Sequence, residues 1–116
     1  FATKRIPTID PKYYTEVVAG MRGAVIGGTC RRANIEGIEV CGKTGTAQNP
    51  HGRDHSAFMG FAPMNNPKIA VAVYVENGGF GAEYGVPIGS LMIEKYLKGE
   101  VKRTEMENQM MNSRIK

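Results

Sequence analysis

Apolar and polar positions recur along this chain in two rhythms, and the change of rhythm divides it. From Tyr14 to Val25 the apolar residues Tyr14, Val17, Val18, Met21 and Val25 follow the three-four spacing of one buried helix face. Asp10-Pro11 opens that helix, because the carboxylate accepts free N–H groups of the first turn and proline at the first helical position forfeits no hydrogen bond. Gly20 and Gly23 each weaken a helix by about 1 kcal/mol relative to alanine, so their presence predicts close packing against another element. The helix is expected to stop by Gly27-Gly28, before a polar, basic turn over Thr29–Asn34 whose Arg31 and Arg32 read as surface residues.

Beyond Ile38 the period becomes two. Ile38–Asn49 reads as one strand, and Ser56–Ala62 as a second, with Phe58, Gly60 and Ala62 on one face and Ala57, Met59 and Phe61 on the other. A third strand alternates Ile69, Val71, Val73 and Val75 with Ala70, Ala72 and Tyr74. Both faces of the last two strands are apolar, which predicts cover on both sides. Turn signals at Pro50–His55 and Pro63-Met64-Asn65-Asn66-Pro67 make the three strands an antiparallel meander. Asn77-Gly78-Gly79-Phe80-Gly81 ends the third strand. A last helix is expected from near Pro87 to Lys98, with Ile88, Leu91, Met92 and Tyr96 on its buried side and Gly99 as its stop. The fold class is therefore α/β in the α+β sense, an antiparallel meander with flanking helices. Residues 1–99 form its body, and 100–116 a polar tail that adds a frayed helical turn or is disordered.

Such a core is incomplete. The second apolar face and the edge beside Ile69–Glu76 lack partners, and an exposed apolar edge invites aggregation. Together with a first residue that is not methionine, this predicts a segment of a longer protein.

Composition narrows the functions open to it. The chain has 116 residues, 41% hydrophobic and 22% charged, the balance of a folded soluble region. Its net charge of +4, from 15 basic and 11 acidic residues, is diffuse, with adjacent basic pairs only at Lys4-Arg5, Arg31-Arg32 and Lys102-Arg103. No aromatic residues interleave with those pairs, so no nucleic-acid partner is expected. No apolar run approaches a membrane span, and no targeting core stands at the N-terminus. Cys30 and Cys41 are open to a bridge, two buried thiols or two unpaired ones, and with His51 and His55 they lack zinc-motif spacing, so no metal or other cofactor is expected. The two histidines read as exposed loop residues, with a role at a cleft rim as the alternative.

The chemistry concentrates at Gly42-Lys43-Thr44-Gly45-Thr46. Gly37-x4-Gly42-Lys43-Thr44 fits the phosphate-loop pattern, but a phosphate loop needs a glycine-rich turn and a helix starting at the Lys-Thr pair. Here Ile38-Glu39-Val40-Cys41 alternates as a strand, and Gly45-Thr46-Ala47-Gln48-Asn49-Pro50 follows, which no helix favours. The other reading is the Lys-Thr-Gly strand of serine enzymes that act on D-Ala-D-Ala peptides and β-lactams, which calls for a strand and a following hairpin.

The wider chain supports the second reading. Gly20-Met21-x3-Val25 with Gly28-Thr29, then Gly42 to Gln48, then His55-Ser56-Ala57-Phe58-Met59-Gly60-Phe61-Ala62-Pro63, and the strand Lys68–Glu76 together resemble the C-terminal part of the transpeptidase domain of class B penicillin-binding proteins. The likeness runs from Ile6 to Gly99 and is closest to the elongation type, in a form like that of Bacteroidetes. Ser56 and Phe58 depart from it, since the family more often shows a run like Ala-Trp-Phe there.

The resemblance implies a portion of the β-lactamase/transpeptidase-like fold and a serine enzyme that cross-links peptidoglycan stem peptides and is acylated by β-lactams. It implies a periplasmic location, an anchor to the cytoplasmic membrane outside this stretch, and membrane proteins of cell elongation as partners. A serine β-lactamase, a D,D-carboxypeptidase and a non-catalytic cell-wall binding module are the alternatives. Matched residue by residue, Lys43 resembles the group that supplies positive potential and tunes proton transfer. Thr44 and Thr46 resemble the motif threonines that hold the substrate, Thr46 offers a backbone N–H to the oxyanion, and Gly45 keeps the strand surface open. The family's Ser-x-x-Lys and Ser-x-Asn motifs lie upstream of this strand. The serines here are followed by Ala57-Phe58-Met59 (Ser56), Leu91-Met92-Ile93 (Ser90) and Arg114-Ile115-Lys116 (Ser113). None is read as heading such a motif, so the nucleophile is expected outside this polypeptide.

Overall fold

The computed structural model describes residues 2–115. Asp10 starts the first helical segment as expected: its Oδ1 accepts from Lys12 N at 3.0 Å, and a 3-10 turn over Pro11–Tyr13 runs into α1, Tyr14–Gly27. A second 3-10 turn, Arg31–Ala33, leads to the strands β1 (Cys41–Ala47), β2 (His55–Ala62) and β3 (Ile69–Val75). These form one antiparallel sheet in the order β1-β2-β3, the expected meander. Helix α2, Gly85–Lys98, ends where Gly99 takes the left-handed conformation at φ 78°. Helix α3 spans Thr104–Asn112.

The core centres on Phe58, whose ring fills the narrow space between the sheet and α2. A Cβ placed on Gly42 would stand 2.5 Å from its Cε2, one on Gly60 2.6 Å from its Cζ, and one on Gly89 2.5 Å from its Cδ1. Three elements thus come within reach of one ring because each carries glycine there. Val25, Cys30, Ala33, Ile35, Ile38, Val40, Ala62, Val86 and Ile93 complete this core.

Several burial expectations fail for one reason: the chain has more apolar residues than its described neighbours can cover. In α1 only Val25 is fully buried, Val17 and Tyr14 are exposed, and a Cβ at Gly20 or Gly23 would meet nothing within 4 Å. In α2 the buried stripe is Val86, Gly89, Ser90 and Ile93, set by the contact with Phe58, while Met92 and Tyr96 are 55% and 65% exposed. The sheet is covered on one face only; on the other, Met59 and Tyr74 are 59% and 58% exposed.

Two segments read as polar from sequence are better ordered than expected. The turn after α1 buries Cys30 and Ala33 completely. The tail holds α3 through Glu94, which is only 1% exposed and accepts from Arg103 Nε at 2.9 Å and from Lys102 N at 3.1 Å. Arg103 also donates to Ser90 Oγ and to the Arg32 carbonyl, and Arg32 Nη2 donates to Gln109 Oε1 at 2.7 Å.

Candidate active site

Lys43, Thr44, Gly45 and Thr46 lie in the middle of β1 and pair with Met59, Phe58, Ala57 and Ser56 of β2. β1 is an edge strand, so its far side presents main-chain groups that no other described strand takes up. No helix begins at Lys43-Thr44, which removes the geometry a phosphate loop requires.

The sequence reading places the lysine and both threonine hydroxyls at one point, and the pleat divides them. Alternate residues of a strand face opposite ways, so Lys43 and Gly45 share the open face with Met59 and Ala57, while Thr44 and Thr46 share the α2 face with Phe58 and Ser56. They can act together only across the free edge. Lys43 is exposed, and its Nζ donates to the Thr44 carbonyl at 2.8 Å. A pocket of about 300 Å³ opens beside it, walled by Gly45, Ala57, Met59, Ala72 and Tyr74 among others. Thr46 is exposed. The larger cavity, about 690 Å³, lies between α2 and α3, away from this strand.

One contact of the candidate strand lies beyond what the sequence predicts. Thr29 Oγ1 and Thr44 Oγ1 share a hydrogen bond at 3.0 Å, so the turn after α1 holds one of the two motif hydroxyls. The signal was present in Gly28-Thr29, but 15 residues separate the partners and no period connects them. Cys30, beside Thr29, is a free buried thiol. Burial pushes its pKa up, against opposing effects from the Thr29 hydroxyl, the Lys43 charge and the Thr44 backbone. Cys41 is also free; burial raises its pKa, with Arg22 opposing and Glu39 adding to the rise. Two buried thiols is therefore the arrangement found, among the three left open. Arg31 is exposed, as expected, whereas Arg32 is half-buried and structural.

His55 Nδ1 accepts from Asn77 N at 2.9 Å, and its ring tilts against Tyr74, so it ties β2 to the loop after β3. His51 is exposed. Neither makes a hydrogen bond to Lys43, Thr44 or Thr46.

The serine hydroxyls are committed elsewhere. Ser56 Oγ donates to the Phe80 carbonyl and accepts from Gly85 N, fully buried. Ser90 Oγ donates to the Pro87 carbonyl and accepts from Arg103. Ser113 requires a correction, since with Lys116 it does have the Ser-x-x-Lys spacing. Lys116 is outside the described residues. Ser113 follows α3, donates to the Gln109 carbonyl, and stands after the Lys-Thr-Gly strand, the reverse of the motif order in the family it resembles.

Comparison with known proteins accords with this geometry. Residues 3–94 match the family described as penicillin binding protein transpeptidase domain. The peptidoglycan D,D-transpeptidase PbpA of Mycobacterium tuberculosis is 41% identical over 81 residues, 60% of this chain and 16% of that protein. The peptidoglycan D,D-transpeptidase MrdA of Haemophilus influenzae is 31% identical, over 88% of this chain and 20% of that protein. Among solved structures, Pseudomonas aeruginosa PBP2 in complex with WCK 5153 superposes with a TM-score of 0.67 at 40% identity, covering 87% of this chain and 24% of that one. The ceftriaxone acyl-enzyme of M. tuberculosis penicillin-binding protein A gives 0.74 at 32% identity, covering 82% and 23%. The chain thus spans about a fifth of the length of these relatives. With its antiparallel sheet, flanking helices and edge-strand Lys-Thr-Gly motif, this chain belongs to the penicillin-binding protein transpeptidase domain family.

Proposed function

We propose that this chain supplies one wall of a serine D,D-transpeptidase site that cross-links peptidoglycan stem peptides and is acylated by β-lactams. The observation that carries the reading is the edge position of β1, with Lys43 and Thr46 exposed along it. An extended peptide adds to such an edge through main-chain hydrogen bonds. Gly45 has no side chain to obstruct it.

In this reading a serine from outside residues 1–116 attacks the penultimate D-Ala carbonyl. The serine–acyl ester forms, the terminal D-Ala leaves as the amine with a proton, and an amine of a neighbouring stem then takes the acyl group and frees the serine. The Thr46 backbone N–H donates to the oxyanion, where a fixed donor lowers the barrier most. The Thr46 hydroxyl, and Thr44 in its bond with Thr29, hold the substrate carboxylate, which orients the peptide. The Lys43 ammonium supplies positive potential to the attacking and leaving groups. The commitment of Ser56, Ser90 and Ser113 to other partners supports an attacking serine from elsewhere.

The likeness to MrdA and PBP2 supports the elongation type, with membrane proteins of cell elongation as partners, a periplasmic site of action and an anchor outside this stretch. No described helix is long and apolar enough to cross a membrane. The relatives reported come from mycobacteria and proteobacteria and give no support to a Bacteroidetes-like source.

Labelling with a fluorescent penicillin tests the function. The full-length protein is expected to take one label per molecule, and the isolated 116-residue chain none. A stoichiometric penicilloyl adduct on the isolated chain would sink the assignment of the nucleophile, and an unlabelled full-length protein would sink the function.

A further inference from the structure

The motif strand leans on a loop that none of these roles uses. Residues 76–84 join β3 to α2, and within them Gly81 lies hard against β1. A Cβ on Gly81 would stand 2.5 Å from the Ala57 carbonyl oxygen, 2.8 Å from that of Gly45 and 2.9 Å from the Thr44 Cβ. The seat of this loop therefore bears directly on the backbone of Thr44 and Gly45.

Polar contacts converge on Glu83 to hold the loop there. One carboxylate oxygen accepts from Arg53 Nη2 at 2.9 Å, and the other from the backbone N–H of Phe80 at 3.2 Å. Gly79, at φ 76°, passes beneath the pair so closely that a Cβ there would come within 2.6 Å of Arg53 Nη2 and 2.7 Å of Glu83 Oε1. Arg53 belongs to the hairpin between β1 and β2, so this ion pair joins the loop at the end of the motif strand to the loop behind it. Other bonds follow the same line: Gly79 N donates to the Asp54 carbonyl at 2.8 Å, and Asn49 Nδ2 to Asn77 Oδ1 at 2.9 Å. From the other side Arg32 Nη1 donates to the Glu83 carbonyl at 3.3 Å.

We propose that Glu83 and Arg53 are positioning residues for acyl transfer, clamping the two loops so that Gly81 keeps Thr44, Gly45 and Thr46 in the conformation the substrate meets. The proposal rests on the reading of β1 as the wall of that site. Neither residue touches the exposed edge of β1; both act through the loop. The side chains of Arg53 and Glu83 are 43% and 41% exposed, and ion pairs so placed contribute little to global stability. A small displacement at a reacting centre, in contrast, costs a large factor in rate. The clamp therefore has its own signature, a loss of rate without a matching loss of stability.

The experiment uses the full-length protein with Glu83→Ala, Arg53→Ala, the double variant and Glu83→Gln, the last retaining an acceptor for Phe80 N. The second-order rate of acylation by a fluorescent penicillin is expected to fall between about tenfold and a hundredfold in each alanine variant. The double variant should fall no further than the worse single, and Glu83→Gln should fall between them and wild type, all with unchanged melting temperature. Hydrogen exchange over residues 41–47 should quicken in Glu83→Ala. Wild-type acylation in both alanine variants overturns the proposal, as does a rate loss that follows an equal loss of melting temperature. If wild-type protein is not acylated at all, the reading of the site fails separately. Exchange then decides the clamp, and unchanged protection of residues 41–47 in Glu83→Ala overturns it.

Discussion

Gly89→Ala tests the packing that joins the motif sheet to α2. Alanine is a better helix former than glycine by about 1 kcal/mol, so propensity alone makes this substitution in α2 stabilising. The structure opposes it: the new Cβ would stand 2.5 Å from Phe58 Cδ1, 2.8 Å from Cε1 and 3.2 Å from Val73 Cγ2. The ring has little room to swing away, because Gly42 and Gly60 hem it in on the other side: a Cβ on either would stand 2.5 or 2.6 Å from a ring atom. Overpacking of this kind costs roughly 1–3 kcal/mol, leaving a net loss of up to about 2 kcal/mol. Phe58→Ala, at a residue 2% exposed, should cost about 3–5 kcal/mol through lost transfer and a cavity. The informative variant is Gly89→Ala with Phe58→Leu, in which the smaller side chain makes room for the methyl. It should be more stable than the sum of the two single effects by about 0.5–3 kcal/mol. The assay is urea unfolding of the transpeptidase domain containing this chain, with Gly20→Ala as the matched control in α1. A stabilised Gly89→Ala, or strict additivity in the double variant, would refute the ring as the point where β1, β2 and α2 meet.

Three further outcomes follow from buried groups. Arg103→Met leaves the Glu94 carboxylate buried without its cation and should cost about 3–5 kcal/mol in the same assay, whereas an unchanged midpoint would show that α3 is not anchored there. Cys30 and Cys41 should resist a thiol reagent at pH 8 in the native protein and both react after unfolding. Their folded pKa values lie above the ordinary 9.0, so the unfolded chain binds fewer protons as the pH rises past that value. Their contribution to stability is therefore complete below pH 9.0 and declines above it, and a melting temperature that rises across this window would contradict the burial.

The elements built from local signals were legible in the sequence. Asp10-Pro11 marks a helix start, Gly99 a helix stop, and the turn residues between Ala47 and Ile69 separate three strands, because each signal acts within a few residues. The unread part depends on contacts between distant residues. Helix α3 looks like a loose polar tail until Arg103 meets Glu94 and Gln109 meets Arg32, the latter 77 positions away. The buried side of α2 could not be chosen from periodicity, because Met92 and Tyr96 also carry large apolar surfaces, and the face is selected by the core around Phe58 and by Arg103, both distant in sequence. In the site, the Lys-Thr-Gly strand was visible from alternation and the hairpin after it. Thr29 as the partner of Thr44, and the Arg53–Glu83 pair behind the strand, required the fold.

The most direct measurement maps the penicilloyl group by peptide mass spectrometry after labelling the full-length protein, alongside the acylation rate of Lys43→Ala. The expected result is a single adduct on a serine outside residues 1–116, with Lys43→Ala slower by about a hundredfold or more. An adduct on Ser56, Ser90 or Ser113, or a Lys43→Ala protein acylated as fast as wild type, would contradict the assignment of β1 as the binding and electrostatic wall of the site.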